Sequence, residues 1–303
     1  MSTADRPSLG IALMLGFCLL APMGDALAKY LGERVPLGQL LLVRFGMQAA
    51  LLLPLVWLSG RSLRMTSRVV RLTALRTVLH MVAIGVMFTA LRFMPLADTV
   101  AIAFVMPFIM LLLGKYVLGE EVGARRLLAC IVGFVGTLLV IQPSFAAVGY
   151  PALLPLLVAV LFALFMLVTR QVAKDVDPIS MQAVSGLMAT ALLAVPFLLL
   201  GGVFPQTFTL VAAQGLDIGL LFLIGALGTF AHLLMTWSLR FAPSATLAPM
   251  QYLEIPVATI IGFLVFKDWP NGLAQIGISI TIASGLYIIF REQRMARALP
   301  PTA

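Results

Sequence analysis

Leu91-Arg92-Phe93-Met94-Pro95-Leu96-Ala97 returns as Leu239-Arg240-Phe241-Ala242-Pro243-Ser244-Ala245, 148 positions later and identical at five of seven. The register holds on both sides of this stretch. Pro107 meets Pro256, Gly114 meets Gly262 and Gly136 meets Gly285 close to the same offset. Further upstream the offset becomes 142, pairing Pro36 with Pro178 and Pro54 with Pro196. The change of six falls in 201–215, a connection longer than its counterpart. A repeat of this length covers half a chain of 303 residues, so the protein reads as two copies of one unit, 1–145 and 146–303.

Composition says what solvent those units face. The chain is 61% hydrophobic and 11% charged, against about 45–50% and about 25% in a soluble domain. Apolar runs long enough to cross a ~30 Å hydrocarbon core recur along it. The short alternating segments of a membrane barrel are absent, so the spanning element is the helix, which satisfies its own backbone. Ten spans are predicted, near 9–28, 38–58, 73–91, 96–118, 126–142, 148–169, 179–201, 216–238, 244–266 and 272–290. The predicted fold is therefore all-α integral membrane, ten transmembrane helices in two five-helix repeats. Five is odd, so the second copy enters the bilayer upside down, and the two halves relate by a pseudo-twofold axis in the membrane plane. In span three, Arg76 is expected to snorkel to the interface.

The net charge of +8 is not one basic patch. Lysine and arginine sit in short loops, where they report orientation. With the N-terminus cytoplasmic, 15 of the 20 fall on that side and four (Lys29, Arg34, Arg92 and Lys267) on the other, with Arg44 inside span two. This predicts a bacterial-type inner (plasma) membrane protein with both termini cytoplasmic, and it excludes nucleic acid as a partner. Arg6 followed by Ala26-Leu27-Ala28 also fits a secretory signal. Asp25 beside that site, and the need of the repeat for a first helix, favour retention of the segment. Cys18 and Cys130 lie alone in apolar runs, which suits buried packing residues. No phosphate-binding glycine loop, HExxH or Cys/His cluster is present, so no cofactor, metal or catalytic group is expected.

Ionisable groups at membrane depth are costly and need a reason. Glu254 lies mid-span between Pro249 and Pro256, where prolines free carbonyls that are tolerated in a cavity wall. It is the leading candidate for substrate contact or ion coupling, with a structural ion pair as the competing reading. Asp25 and Arg44 fall at similar depth and can pair with each other or bind substrate. Asp98 opens span four and is expected to cap it. His80 and His232 are single histidines expected near cytoplasmic helix ends, packing more readily than relaying protons. Tyr252, Trp237 and Phe104 suit stacking on a flat solute. Gln251 flanks Glu254. Asp268, Glu120 and Glu121 read as solvated loop residues. Pro107 and Pro256 are predicted hinges. Ala129 with Gly133, and Gly225 with Thr229, are placed for close helix approach.

Ten helices in two repeats, Leu118-Gly119-Glu120-Glu121 at the end of span four and Gly133-Phe134-Val135-Gly136 in span five resemble the drug/metabolite transporter superfamily, EamA type. The resemblance covers nearly the whole chain and implies a carrier with a central cavity that closes alternately at its two ends. Asp25-Ala26-Leu27-Ala28-Lys29-Tyr30-Leu31-Gly32, Arg44-Phe45 and Tyr252-Leu253-Glu254 are similar to the S-adenosylmethionine uptake carriers of that superfamily, with riboflavin carriers as the near alternative. The matching positions are Asp25, Lys29, Arg44, Tyr252 and Glu254. The expected activity is secondary transport of a small organic metabolite. Amino-acid or drug-like metabolite export is the alternative, and a membrane enzyme or sensor the rival of another class. The expected partners are the solute and the lipid bilayer, with a homodimer as the oligomeric option.

Overall fold

The structure is a computed structural model and describes residues 6–119 and 123–298. Glu120 and Glu121 lie outside the described residues. Every regular element within them is helical: α1 (Pro7–Leu31), α2 (Leu37–Leu58), α3 (Ser67–Ala90), α4 (Leu96–Ala103), α5 (Met106–Val117), α6 (Ala124–Val148), α7 (Leu154–Val172), α8 (Pro178–Leu200), α9 (Pro205–Phe208), α10 (Leu216–Phe241), α11 (Ser244–Leu247), α12 (Glu254–Ile261) and α13 (Gly272–Ala298). Short 3₁₀ turns at Tyr150–Leu153 and Ala248–Leu253 and a π turn at Gly262–Phe266 complete the chain. Among the described residues three N-termini carry side-chain caps, one of them that of α13, where Asn271 Oδ1 accepts from the Ala274 amide at 2.9 Å. Thr66 accepts from the Val69 amide and Asp177 from the Ser180 amide, each satisfying a donor the helix leaves open.

Eight helical stretches are long and apolar enough to cross a membrane, and the apolar stretches Met250–Phe266 and Gly272–Tyr287 are shorter. The predicted span nine contains a 3₁₀ turn and a π turn. Outward faces are apolar, as at Leu19, Leu51, Val78, Leu192, Phe222 and Ile260, which suits a hydrocarbon solvent.

The predicted span four is also broken. Phe104 and Val105 donate to Ala101 and Ile102, three residues back, and α5 restarts with Pro107 in its first turn. Pro256 sits equivalently, third in α12 after the 3₁₀ turn. Each proline lacks an N–H and so removes one bond from the helical ladder beside the break.

The packing partners repeat as the sequence does. Helix α1 packs on α10 and α12, while α7 packs on α3, α4 and α5. Helix α2 meets α8 and α10, and α8 meets α2 and α3. The pairs α6–α13 and α4–α12 join corresponding elements. Exchanging the two halves returns the same set of neighbours. The long core therefore runs between the halves rather than inside each.

Glycines set the closest approaches. A Cβ on Gly225 would enter the Met47 side chain of α2. A Cβ on Gly136 would meet Thr281 and the Gly277 carbonyl of α13, and Thr281 Oγ1 donates back to the Gly133 carbonyl at 3.3 Å. Gly136→Val is expected to destabilise the α6–α13 seam by about 1–3 kcal/mol, the usual cost of overpacking. Thermal unfolding of the purified protein in detergent measures this, and an unchanged midpoint would show that the seam can yield.

Candidate functional site

The helix breaks and the inter-half seam meet at a cavity of about 80 Å³, several times the ~10–15 Å³ needed for one water. Its wall is apolar on most sides: Phe17, Ala21 and Gly24 from α1, Met87 from α3, Val158 and Phe162 from α7, and Phe104 at the α4–α5 break. Four polar side chains line it: Asp25 (α1), Arg44 (α2), His232 (α10) and Glu254 (α12).

Asp25 is six residues from the end of α1 and Arg44 is seven residues past the start of α2. At ~1.5 Å per residue both lie about 10 Å below the 32–36 loop. They share the cavity and lie within electrostatic range of each other, yet no ion pair joins them within 4.0 Å. Arg44 turns its guanidinium elsewhere. Nη1 donates to Gln48 Oε1 at 3.1 Å, Nη2 donates to the Gly228 carbonyl at 2.7 Å, and Nη2 lies 2.9 Å from His232 Nδ1. Gly228 allows this, because a Cβ there would fall inside the guanidinium.

Glu254 is 8% exposed. It opens α12 where the chain leaves the 3₁₀ turn, and its Oε1 is buried without a hydrogen-bond partner. Asp25, on the same cavity wall, lies within electrostatic range of it. Cys18, two turns from Asp25 on α1, donates from Sγ to the Met250 carbonyl at 3.6 Å and so ties α1 to the broken span.

Gln251 and Tyr252 do not line the cavity. Gln251 Nε2 meets Met166 Sδ at 3.2 Å, and Tyr252 packs beside Phe104 and across Gly133, with ring centroids 5.6 Å apart in the first case. The Gln251 Oε1 and Tyr252 hydroxyl are buried without partners among the described residues. Trp237 packs against a separate small cluster around Leu52, Val56 and Ile179, away from the cavity.

The histidines are not separate. His80 and His232 come from opposite halves and their rings lie 4.2 Å apart. Both lie deeper than expected from the sequence, because α3 starts at Ser67 and α10 runs to Phe241. His80 stacks on Phe165 at 4.5 Å, and its Nε2, like that of His232, has no hydrogen-bond partner.

Arg76 does not snorkel. It is 0% exposed, points between α7 and α8, and donates to Thr169 Oγ1 at 3.0 Å and Ser185 Oγ at 2.6 Å. Its guanidinium lies over the Phe165 ring at 4.8 Å. A lipid-facing route would have required Arg76 to point outward; hydroxyls on the facing helices give it an inward alternative. Asp98 is not the cap of α4, a position Pro95 holds. It sits in the first turn and accepts from Ser144 Oγ at 3.2 Å.

Ion pairs cluster at the two ends of the bundle. Arg34 and Arg61 flank α2 and are therefore about 33 Å apart by helical rise. At the first end Arg34 pairs with Asp217 at 3.3 Å and Lys29 with Asp268 at 3.2 Å. Asp268 is thus paired rather than merely solvated. At the other end Arg61 pairs with Asp177 at 2.5 Å and Arg68 with Asp175 at 3.1 Å. All four pairs join a residue of 1–145 to one of 146–303.

Comparison with known proteins gives this geometry a context. The sequence profile described as the EamA-like transporter family matches residues 8–142 and 149–291. The S-adenosylmethionine uptake transporter of Rickettsia prowazekii (strain Madrid E) is 25% identical over 285 residues, 94% of this chain and 94% of that protein. The riboflavin transporter of Brucella anthropi is 25% identical over 287 residues, 94% of this chain and 99% of that protein. A solved crystal structure superposes with a TM-score of 0.68 at 17% identity, covering 95% of this chain and 98% of that one, which is a likeness of fold.

Proposed function

Because the chain belongs to the EamA-like transporter family, and is thus a multi-pass membrane transporter of a small molecule rather than an enzyme, we propose that it is a secondary carrier working by alternating access. The reading counts ten crossings, taking α4–α5 and α11–α12 each as one interrupted span. Units 1–145 and 146–303 lie in opposite senses, and both termini face the cytoplasm of a bacterial-type cell. S-adenosylmethionine or riboflavin uptake is the proposed substrate range, on the strength of the relatives. The observation that carries the proposal is the cavity. Both halves wall it, both helix breaks adjoin it, and inter-half ion pairs stand beyond it at each end. Pro107 and Pro256 act as hinges there, since each follows backbone that has left the α-helical ladder.

Flux measured with the purified protein in liposomes tests this. Labelled S-adenosylmethionine or riboflavin should exchange against its unlabelled counterpart without ATP. No flux of either solute, or of aromatic amino acids, through folded protein would defeat the carrier reading.

The latches make a second test. Asp175→Asn with Asp177→Asn removes both pairs at the Arg61 end. Partly exposed pairs are weak, so the ratio of the two access states should shift roughly two- to thirtyfold toward opening at that end. Lys29→Gln with Arg34→Gln should shift it the other way. A cysteine at Ala21, on the cavity wall, in a background with Cys18 and Cys130 replaced, reports both by its reaction with an impermeant maleimide from each side. Equal changes from both sides would show that these pairs do not set access.

A further inference from the structure

Exchanging the two halves maps α2 onto α8, through Pro36 with Pro178 and Pro54 with Pro196, and α3 onto α10, which run into the two repeated stretches. The α2–α10 contact therefore has the α8–α3 contact as its counterpart. Each is crossed by a buried arginine. Arg44 reaches from α2 to the Gly228 carbonyl of α10, and Arg76 reaches from α3 to Ser185 of α8. Arg44 lies seven residues into α2 from the Arg34 end, and Arg76 nine residues into α3 from the Arg61 end. By helical rise these depths are about 10 and about 13 Å, measured from opposite ends of the bundle. Neither guanidinium has a carboxylate within 4.0 Å.

A row of idle polar atoms joins the two arginines. His232 lines the cavity with Arg44, and its ring lies 4.2 Å from that of His80. His80 is one turn from Arg76 on α3, and both pack on the Phe165 ring. Thr73 follows one turn nearer the Arg61 end. His232 Nε2, His80 Nε2, Arg76 Nη2 and Thr73 Oγ1 are all buried without a hydrogen-bond partner. On the same helix Leu75, Val78 and Val82 point outward, so the polar residues form one inward stripe on a helix that is otherwise apolar. Orphaned buried polar groups are costly, and a run of them is tolerated where water or a ligand reaches them in part of a working cycle.

We infer that Arg76 is the solute-contacting arginine of the opposite access state, in the role that Arg44 holds in this one. This rests on the carrier reading and adds a residue to the path. Here the α2–α10 seam borders the cavity and the α3–α8 seam is shut around Arg76. Two near-equivalent halves of opposite sense can exchange conformations at little cost in energy, and the exchange faces the cavity the other way. The α3–α8 seam is then the one that borders open space. Arg76 and Thr73 turn to that space from the Arg61 end, and His80 and His232 mark the way from the present cavity. The partners Arg76 leaves, the Thr169 and Ser185 hydroxyls, are neutral. Giving them up for water or solute oxygens costs less than parting from a buried carboxylate.

Thr73→Cys in the full-length protein, with Cys18 and Cys130 replaced, is the first probe. An impermeant maleimide should label it from the Arg61 side alone. Labelling should run roughly two- to thirtyfold faster when Asp175→Asn with Asp177→Asn loosens that end, and slower with Lys29→Gln and Arg34→Gln. Arg76→Gln is the second probe, in liposomes with exchange of S-adenosylmethionine or riboflavin, whichever the wild type moves. The half-saturating concentration should rise at least about tenfold on the Arg61 side, the worth of a hydrogen bond from a charged donor, and by less than about twofold on the other. A merely structural role would move both sides alike. A cysteine at Ala21 that answers to the latch variants, beside one at Thr73 that is never labelled, would keep alternating access and remove Arg76 from the path. Equal shifts on the two sides in Arg76→Gln would do the same. If that variant fails to reach the membrane, labelling at Thr73 decides alone. Absence of flux for every solute fails the carrier reading, and this inference with it.

Discussion

Glu254→Gln is expected to lower the initial rate of solute transport in liposomes by at least about thirtyfold, with an unfolding temperature close to wild type. Residues 248–253 form a 3₁₀ turn, α12 begins at Glu254, and Pro256 keeps the two from merging into one regular helix. The carboxyl is thereby carried to the cavity wall with Oε1 unpartnered. Glutamine has nearly the same shape and keeps a hydrogen-bonding oxygen, so packing survives and only the ability to carry a charge is lost. The thirtyfold figure is the low end of what unpairing a buried charge costs, about 2 kcal/mol. Glu254→Asp keeps the charge on a side chain one methylene shorter and should fall between. Wild-type rates in Glu254→Gln would make the residue a packing element of the broken span. Loss of protein from the membrane would show a structural role instead.

How much of this could be read from the sequence depended on which coordinate was asked for. Position along the membrane normal follows from counting residues, because each helix advances a fixed distance. That is why Asp25 and Arg44 could be assigned similar depth and do share one cavity. Rotation about the helix axis could not be read. Amphipathic soluble helices announce their inward face, but these helices are apolar all round, so the pattern that would orient them is missing. Arg76 therefore looked like a residue reaching for the interface, whereas it points between α7 and α8. Gln251 and Tyr252 looked like neighbours of Glu254 in function, whereas the 3₁₀ turn aims them at Met166 and Gly133. The His80–His232 contact joins residues 152 apart on helices of different halves, which no local signal encodes. One signal was present and unused. Single histidines on spans three and eight, the corresponding helices of the two copies, face each other if the halves close symmetrically. The repeat itself was legible because prolines and glycines at helix breaks and seams are fixed by backbone geometry, and so recur in both copies.

Gly228→Ala should cost about as much transport as removing the Arg44 guanidinium, although the change adds one methyl group and replaces no charged residue. Arg44 reaches from α2 to α10 because Gly228 leaves its face bare. The Gly228 carbonyl accepts from Nη2 at 2.7 Å, and His232, one turn further along α10, stands 2.9 Å from the same nitrogen. A Cβ at 228 would occupy the space of the guanidinium. The arginine must then swing away, and α10 cannot retreat easily because Gly225, one turn earlier, is already pressed against Met47 of α2. The expected result is a rate reduced at least about tenfold, since a contact held at hydrogen-bond distance is displaced by an ångström or more. Stability should change less, because Arg44 is not part of an ion pair. A cycle of Gly228→Ala, Arg44→Gln and the double variant decides whether the two act together. If Gly228 works by seating Arg44, the second change adds little to the first and the losses are far from additive. Fully additive losses would mean that the glycine serves helix packing alone, and that the guanidinium is held in place by Gln48 and His232 without it.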